Sequence, residues 1–530
     1  MTDENAESSL KKTSERLSQV SNSFCLAKWM QVTLHLHNGH THSCHHPNTH
    51  KVPLEELKDN PSALHNTKFK KDLRQEMMVG KRPSECSYCW GIEDTPGEHY
   101  SDRVIKSNDN WASPFFARAV RAAGQENINP SYVEVSFSHA CNLKCVYCGP
   151  SISSKWEAEM KKFGDYPILN THHSLDEAKR QNKESYPVGE PNPYVDAFWD
   201  WWPSLSKDLK VFRITGGEPL LVKDTLRAMD WLMDHPNANL EFAVNTNLMV
   251  ADEKLDAFLG KAAQLVDQKK VKEFSVYTSL DTWGASAEYI RFGLDIEKFK
   301  VNLEKTLSSH THIRVAIMCT FNLLSVPNFH ELIDYVIDLK NRFPTQEGCG
   351  PRVTLDISYL THPNFMTVSL LPKELHSLLD DCYTKMSEAV LENGRQAFDA
   401  HEKNKLKRLL AFVQRPLLPD KELELKKDFA IFFSEADRRR ELSFSETFPI
   451  FKDLMDECKN LALKDLYGRR DFAEKDLKAS TRSLEDIERH MKGALEWHGR
   501  AQREVKRSEE NIQKLKVLFE KDLEGFESEV

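Results

Sequence analysis

The sequence predicts an α/β protein built on a partial (β/α)6 TIM-like barrel, with a small Cys-rich N-terminal domain and a helical C-terminal region. Strand-like runs alternate with helix-like runs from residue 131 to residue 360, which is typical of a parallel sheet with helical crossovers. Seven of the eleven cysteines lie before residue 149. From about residue 370 the pattern is helical, and no proline follows Pro449.

Six apolar, β-branched runs are the predicted barrel strands, and helix-like runs follow the second to the fifth. The strands span residues 131–138, 210–215, 239–247, 272–281, 312–321 and 352–360. In a barrel of this kind the chemistry lies at the C-terminal ends of the strands. Polar residues at those ends are therefore candidate site residues.

The composition changes along the chain and predicts four regions. Residues 1–20 are polar and are expected to form a disordered tail, and residues 21–100 are rich in Cys and His. The barrel spans 131–360, and 370–530 form the helical region. A polar, proline-punctuated insertion over 149–205 is expected to be a lid or a partly disordered loop.

Two apolar stripes at helical spacing near the C-terminus predict two helices, arranged as an antiparallel hairpin or a short coiled coil. We expect a docking or oligomerisation element, with helical self-association. The stripes comprise Leu484, Ile487, Met491 and Leu495, and Val505, Ile512, Leu515 and Phe519.

The overall composition is that of a soluble globular protein, with 40% hydrophobic and 29% charged residues. The formal net charge of −9 disfavours a dedicated nucleic-acid binder. We expect no membrane span, because the chain has no run of about 18 apolar residues. The polar N-terminus is not a secretory signal, so a cytoplasmic, reducing setting is expected. There, clustered thiols indicate metal rather than disulfides.

Three cysteines follow the first predicted strand directly, as Cys141-x3-Cys145-x2-Cys148. Three thiolates can hold three irons of a 4Fe-4S cluster and leave the fourth iron open to a small molecule. A zinc site and incidental cysteines are alternatives that the spacing alone leaves open.

Motifs also stand at the ends of the next three strands. The second strand ends in Thr215-Gly216-Gly217-Glu218-Pro219 and the third in Asn245-Thr246-Asn247, both of which are also ordinary turn chemistry. The fourth ends in Ser279-Leu280-Asp281, followed by Arg291, for which a surface ion pair is the alternative.

Taken together, these motifs over residues 131–360 resemble the radical S-adenosylmethionine (SAM) superfamily, in the branch that carries SPASM or twitch auxiliary-cluster domains. The resemblance implies that Cys141, Cys145 and Cys148 bind a SAM-cleaving 4Fe-4S cluster. It implies SAM contacts from Tyr147 to the adenine, from Gly216, Gly217 and Glu218 to the amino group, from Asn245 and Thr246 to the ribose, and from Ser279 and Arg291 to the carboxylate, with Asp281 touching SAM or substrate.

The N-terminal cysteines Cys25, Cys44, Cys86 and Cys89 follow the pattern C-x13-G-x4-C…C-x2-C. This resembles a twitch-type domain with an auxiliary 4Fe-4S cluster, although here it precedes the barrel. Zinc is the alternative, because histidines crowd the same stretch. Most of them are expected to be solvated; they are His35, His37, His40, His42, His45, His46 and His50.

The resemblance implies an enzyme that cleaves SAM reductively to a 5′-deoxyadenosyl radical for hydrogen abstraction. Its expected partners are a one-electron reductant of the flavodoxin or ferredoxin type and a peptide or protein substrate. One alternative is nucleotide or nucleic-acid modification, with Trp199, Trp201 and Trp202 as stacking surfaces. Another is a zinc-binding interaction protein with an inactive barrel.

Overall fold

The computed structural model describes residues 3–97, 99–346, 349–466, 475, 477–478, 481 and 495–527. Its centre is a nine-stranded, mostly parallel sheet of strand order β11-β10-β8-β7-β6-β4-β1-β2-β3, and β5 and β9 form a separate two-stranded pair. The strands are β1 (Gln31–His35), β2 (His40–His42), β3 (His50–Lys51), β4 (Tyr132–Ser136), β5 (Lys144–Cys145), β6 (Val211–Thr215), β7 (Asn237–Thr246), β8 (Val271–Ser279), β9 (Arg291–Phe292), β10 (Ile313–Phe321) and β11 (Val353–Tyr359).

The α/β class and the partial TIM-like barrel are as predicted. All six expected strands are present as β4, β6, β7, β8, β10 and β11, and each pairs in parallel with its neighbour. One parallel strand was not predicted. β1 joins β4 in parallel, and β2 and β3 continue the sheet in antiparallel pairing. The Cys-rich region therefore contributes three strands to the same sheet as the barrel.

Helices connect the parallel strands and cover the outside of the sheet. Those preceding β6 are α1 (Asp3–Ser18), α2 (Leu26–Met30), α3 (Leu54–Leu57), α4 (Lys68–Met78), α5 (Ser87–Glu93), α6 (Asp102–Asn108), α7 (Phe116–Arg121), α8 (Ser154–Phe163), α9 (Leu175–Arg180) and α10 (Pro193–Asp208). Those between β6 and β11 are α11 (Lys223–Asp234), α12 (Asp252–Asp267), α13 (Gly284–Ile290), α14 (Ile296–Ser309) and α15 (Phe329–Arg342).

The C-terminal region is helical wherever it is described, apart from its connecting segments. Its helices are α16 (His376–Glu388), α17 (Ala400–Val413), α18 (Pro419–Arg440), α19 (Phe444–Thr447), α20 (described over 452–466) and α21 (Leu495–Glu527). The second predicted stripe lies on α21. In the first stripe, Leu484, Ile487 and Met491 lie outside the described residues, as does any hairpin between the two.

Two hydrophobic cores hold these layers together. In the large core, alternate strand residues such as Val135 and Phe212 pack against the crossover helices and against α16 to α20. The smaller core lies within residues 17–128 and includes Phe24 and Trp29. The tryptophans of α10 belong to the large core, and Trp199, Trp201 and Trp202 are buried. They therefore offer no stacking surface for bases.

Two segments are helical where the sequence suggested a disordered tail (1–20) and a lid or partly disordered loop (149–205). The N-terminal tail is the helix α1, which buries Leu17 and hydrogen-bonds Asn108 through Ser9 and Thr13. The 149–205 insertion contains α8, α9 and α10, and Trp156 is fully buried in the large core. In both cases a few apolar side chains spread along a polar sequence bury against the rest of the protein. No helix in the described part of the chain is long and apolar enough to span a membrane.

The buried carboxylate of Glu402 attaches α17 to the barrel. It accepts hydrogen bonds from Lys340 Nζ at 2.8 Å, from the Leu355 amide at 2.9 Å, and from the Asp399 amide at 2.9 Å in a capping box. Lys340 is also buried. The pair therefore fixes α15, β11 and α17 relative to one another.

We expect Glu402→Ala to destabilise the protein by about 3–5 kcal/mol, because it leaves the buried Lys340 ammonium without its partner. The measurement is the shift in the urea unfolding midpoint. The control is Asp456→Ala, which removes the exposed Lys452–Asp456 ion pair and should change stability by less than about 0.5 kcal/mol. Equal shifts in the two variants would contradict this role of Glu402.

Candidate functional site

The loop over residues 137–149, which we call the cysteine loop, leaves the C-terminal end of β4 and carries Cys141, Cys145 and Cys148. Cys145 lies in β5, where it pairs antiparallel with Arg291 of β9. The loop is thereby tied to the segment that follows β8. The candidate site thus lies at the C-terminal edge of the sheet, as predicted for a barrel.

The three thiols lie close enough to influence one another. Cys148 hydrogen-bonds Cys145, which lowers the pKa of Cys145 against the effect of burial, and the Arg291 guanidinium lowers it further. Burial raises the pKa of Cys141 to about 12. Three converging sulfurs beside one guanidinium form a donor set that fits a 4Fe-4S cluster with one open iron.

Donors from the 149–205 insertion hold the backbone of the cysteine loop. Trp156 Nε1 donates to the Cys145 carbonyl at 2.8 Å. His173 Nε2 lies 2.9 Å from the Val146 carbonyl oxygen, and His172 Nε2 lies 2.9 Å from that of Tyr147. Three consecutive carbonyls therefore have hydrogen-bond donors, which buried backbone requires. The insertion therefore holds the backbone of the cysteine loop in place through these three side chains.

Helix α18 in turn holds the 149–205 insertion in place. The Asp428 carboxylate accepts from the Leu169 amide at 2.8 Å and the Asn170 amide at 2.9 Å, just before the two histidines. Arg440 forms a buried ion pair with Glu159 and donates to the Lys144 carbonyl at 3.2 Å. The C-terminal region thus supports the cysteine loop from outside the barrel.

The two glycines after β6 are required by the cysteine loop itself. Gly216 has φ +127°, and a Cβ there would lie 2.8 Å from the Ser138 carbonyl oxygen. A Cβ at Gly217 would lie 2.6 Å from the His139 carbonyl oxygen and closer still to that of Ala140. Only glycine allows the two backbone segments to approach this closely.

Glu218 joins three strand ends. Its amide donates to the Ala140 carbonyl at 2.7 Å, and its buried carboxylate accepts from the amides of Leu220 at 2.9 Å and Asn247 at 2.7 Å. Burial raises the pKa of Glu218 to about 7. Asn247, which the sequence did not single out as a site residue, also donates to Asn142 Oδ1 at 2.8 Å.

The expected ribose contacts lie on either side of the sheet at the end of β7. Asn245 points to the inner face, where its Oδ1 accepts from Arg213 Nε at 2.8 Å. Thr246 is buried, and its hydroxyl accepts from the Leu248 amide at 3.0 Å. Of the two side chains, Asn245 is therefore the one on the inner face. Ser279 ends β8 on that same face and is half-buried.

Arg291 forms a buried ion pair with Asp281, where a surface ion pair was the alternative. Its Nε lies 2.9 Å from Asp281 Oδ2, its Nη2 lies 3.1 Å from Oδ1, and its Nη1 lies 3.7 Å from Cys145 Sγ. Asp281 also accepts from the Tyr147 hydroxyl at 2.9 Å and the Thr320 amide at 2.8 Å. Asp281 therefore holds Arg291 and Tyr147 in place.

The four N-terminal cysteines Cys25, Cys44, Cys86 and Cys89 line one small cavity, together with Lys28 and His46. Cys25 and Cys44 lie in the loops after α1 and β2, Cys86 directly precedes α5, and Cys89 lies in α5. Burial raises the pKa of Cys25 to about 11 and that of Cys86 to about 12. Four thiols around one cavity fit an auxiliary 4Fe-4S cluster.

Buried cations stand behind this cavity. Lys28 forms an ion pair with Glu85. Lys70 donates to Thr41 Oγ1 at 2.9 Å, and Arg74 hydrogen-bonds only neutral partners, including Asn66 Oδ1 at 2.9 Å. Neither Lys70 nor Arg74 has a carboxylate within 4.0 Å in the described part of the chain. Burial lowers the pKa of Lys70 well below its usual value, and the nearby Cys44 thiolate opposes that shift. A metal centre held by four thiolates is a net anion and would supply the counter-charge that buried cations need.

The histidines of this region are more buried than expected. His37, His40 and His42 are buried, and burial lowers the pKa of His37 to about 3 and of His42 to about 4. They are held by ordinary contacts, such as His35 Nε2 to His42 Nε2 at 3.2 Å and His37 Nδ1 to Ser136 Oγ at 2.9 Å. Among the described residues, no group of three or more His, Cys, Asp or Glu is arranged to hold a single metal ion.

No family model matches the chain, and no curated protein matches it. Solved structures of SuiB from Streptococcus suis are similar, each with a TM-score of 0.31. The match to the structure of SuiB alone has 14% sequence identity and covers 62% of this chain and 60% of SuiB. In that match this chain therefore spans less than two thirds of the length of SuiB. The structure with precursor peptide SuiA is 13% identical, covering 69% and 71%; the structure with S-adenosylmethionine is 13% identical, covering 68% and 70%. These values support no argument about function.

Sequence reasoning missed the residues that act on the cysteine loop from a distance in the chain. They are Trp156, His172, His173, Asn247, Asp428 and Arg440. The His172-His173 doublet in a polar insertion and the Arg438-Arg439-Arg440 run were visible signals. The partners of these six residues are backbone carbonyls, backbone amides and side chains of other elements. No local sequence pattern indicates such partners.

We expect Gly217→Ala to prevent the cysteine loop from closing on β6, because the new methyl group would overlap the backbone of residues 139–140. The measurement is iron bound per chain after anaerobic reconstitution, with about half of the wild-type iron expected if only the N-terminal site fills. The control is Gly260→Ala in α12, where a Cβ meets nothing within 4 Å and should add about 0.5–1 kcal/mol of stability. Full iron content in Gly217→Ala would contradict the steric argument.

We expect Lys70→Met to raise the melting temperature of the metal-free protein and to reduce the further rise on metal loading. The substitution removes a buried amine without a charged partner, whose removal from water disfavours folding, and it also removes the attraction of its charged form to an anionic centre. Thermal unfolding with and without reconstituted metal measures both effects. Lys68→Met on the same helix, at an exposed ion pair, is the control. An undiminished metal-induced rise in Lys70→Met would count against an anionic centre here.

Proposed function

We propose that this protein is a radical SAM enzyme, with the catalytic cluster on Cys141, Cys145 and Cys148. The observation that carries the proposal is the convergence of these three thiols at the C-terminal edge of the sheet, against Gly216 and Gly217. Zinc sites and incidental cysteines do not require the further apposition of a Gly-Gly-Glu turn and a guanidinium. Spacing and geometry therefore point to the same chemistry.

A bound 4Fe-4S cluster with SAM supplies one-electron cleavage of the sulfonium and a 5′-deoxyadenosyl radical for hydrogen abstraction. The chain supplies binding and orientation. In this proposal Gly216, Gly217 and Glu218 bind the SAM amino group, Asn245 lies by the ribose, Ser279 and Arg291 bind the carboxylate, and Tyr147 lies by the adenine. Thr246, whose side chain is buried on the other side of the sheet, supports the end of β7 instead of contacting the ribose. Asp281 orients Arg291 through their buried ion pair.

The N-terminal site is proposed to hold the auxiliary 4Fe-4S cluster, with zinc as the alternative ion. Its four thiols line one cavity, and the buried cations beside it favour a net anion. A flavodoxin or ferredoxin type reductant would supply the electron to the catalytic cluster. A peptide or protein is the proposed substrate.

We expect wild-type protein, reconstituted with iron and sulfide and reduced with dithionite, to release 5′-deoxyadenosine from SAM and to hold about eight irons per chain. A Cys141→Ala/Cys145→Ala/Cys148→Ala variant should release none and keep about four irons. The control is Cys349→Ala, an isolated and exposed cysteine, which should match wild type.

Each alternative has its own outcome in this experiment. About four irons in the wild type, with zinc in the remaining thiolate site, would remove the auxiliary cluster but keep the enzyme. If the wild type releases no 5′-deoxyadenosine and holds zinc in both sites, the proposal of a radical SAM enzyme is wrong. The remaining interpretation is then a zinc-binding interaction protein with an inactive barrel.

A further inference from the structure

Polar side chains line the inner face of the sheet directly below the proposed SAM edge. Thr33, Glu134 and Arg213 face one another across β1, β4 and β6 in register. One step nearer the C-terminal edge, the neighbouring row includes Ser136, Thr215 and Asn245. A substrate must approach the site from this face, because the other face is covered by the crossover helices.

Arg213 occupies the middle of this face and is held rigidly. Its Nε donates to Asn245 Oδ1 at 2.8 Å, and its guanidinium carbon lies 4.1 Å from the centre of the Tyr277 ring. One Nη2 hydrogen points to Met318 Sδ at 3.1 Å, a weak acceptor. Three sides of the guanidinium are thus fixed by strands β7, β8 and β10.

The charge of Arg213 has no direct counter-charge. Among the described residues no carboxylate oxygen lies within 4.0 Å of its nitrogens. Glu134 is its neighbour in register on β4, but the two make no ion pair, and burial raises the pKa of Glu134. The other acids at strand positions of this face, Glu241, Glu273 and Asp356, are paired with Lys272, Arg314 and Lys405. The half-buried guanidinium, which also hydrogen-bonds the Tyr132 side chain, therefore lies on the inner face without a carboxylate in ion-pair contact among the described residues.

We propose that Arg213 is the substrate anchor and that it binds a carboxylate of the substrate. A fixed guanidinium fork matches a carboxylate in bidentate geometry. Arg213 donates to Asn245, the residue that the proposed function places by the SAM ribose, so a carboxylate bound at Arg213 would lie on the side of the sheet that faces bound SAM. This inference rests on the proposed function and adds to it the class of group that the substrate presents.

A carboxylate fits better than a phosphate because of the surrounding charges. Arg213 is the one guanidinium of the described inner face without an ion pair, and the Glu134 carboxyl lies on the adjacent strand. A phosphate dianion would need a second cation and would be repelled by a charged Glu134. For a peptide substrate, the group is an Asp or Glu side chain or a C-terminal carboxylate.

The test measures binding of two probes to the full-length, reconstituted protein by saturation-transfer NMR. The probes are N-acetyl-L-glutamate methylamide and its neutral isostere N-acetyl-L-glutamine methylamide. The wild type should prefer the glutamate probe by about tenfold or more, since a charge-assisted pair contributes about 1.5–3 kcal/mol. Arg213→Gln should abolish the preference, and Arg213→Lys should retain part of it because charge remains without the fork.

The control is Arg342→Gln, which removes an exposed guanidinium paired with Glu304 and Asp338, and its preference should equal that of the wild type. Equal binding of the two probes by the wild type would overturn the proposal, as would a preference that survives in Arg213→Gln. If Arg213→Gln fails to fold, the Arg213→Lys variant decides, because full retention of the preference would exclude a bidentate contact. Release of 5′-deoxyadenosine by the wild type is measured separately, so failure of the SAM chemistry and failure of the anchor are distinguished.

Discussion

The contact between the backbone of residues 138–140 and the Gly216-Gly217-Glu218 turn is the constraint on which the rest of the site depends. It brings the ends of β4 and β6 together at a separation that no side chain could occupy. The Glu218 carboxylate accepts from the Asn247 amide and so connects this contact to the end of β7. The pairing of β5 with β9 connects the cysteine loop to the segment that follows β8. Four strand ends thus converge on three thiols.

Elements distant in the chain supply the remaining support. Within the cysteine loop the Cys148 amide donates to the Cys145 carbonyl, and the carbonyls of residues 145–147 also receive donors from outside the loop, as buried backbone requires. Trp156, His172 and His173 supply those donors, and α18 holds the insertion that carries them. The insertion and the C-terminal region both pack into the large core. They are therefore fixed in place and support the site structurally.

The barrel strands were predictable because their alternation of apolar and polar residues is a local signal of period two. The motif residues at the strand ends were predictable because parallel strands place their C-terminal ends on one edge. β1 was missed because its five residues, Gln31–His35, lie in a Cys/His-rich stretch whose composition indicated a separate metal domain. The order of α1 and of the insertion was missed because it depends on burial against partners far along the chain.

By itself the sequence determined the α/β class and the six strands, and it predicted the two groups of cysteines as metal ligands, because periodicity and spacing are properties of neighbouring residues. Only the tertiary structure decided which groups meet. It showed that Asp281 holds Arg291 and Tyr147, that the glycines admit backbone, and that Arg213 faces the interior without a carboxylate within ion-pair distance among the described residues. The physical reason is that the hydrogen bonds and ion pairs of these buried groups join residues from different elements, between 10 and 134 positions apart. Which groups meet therefore depends on how the whole sheet packs.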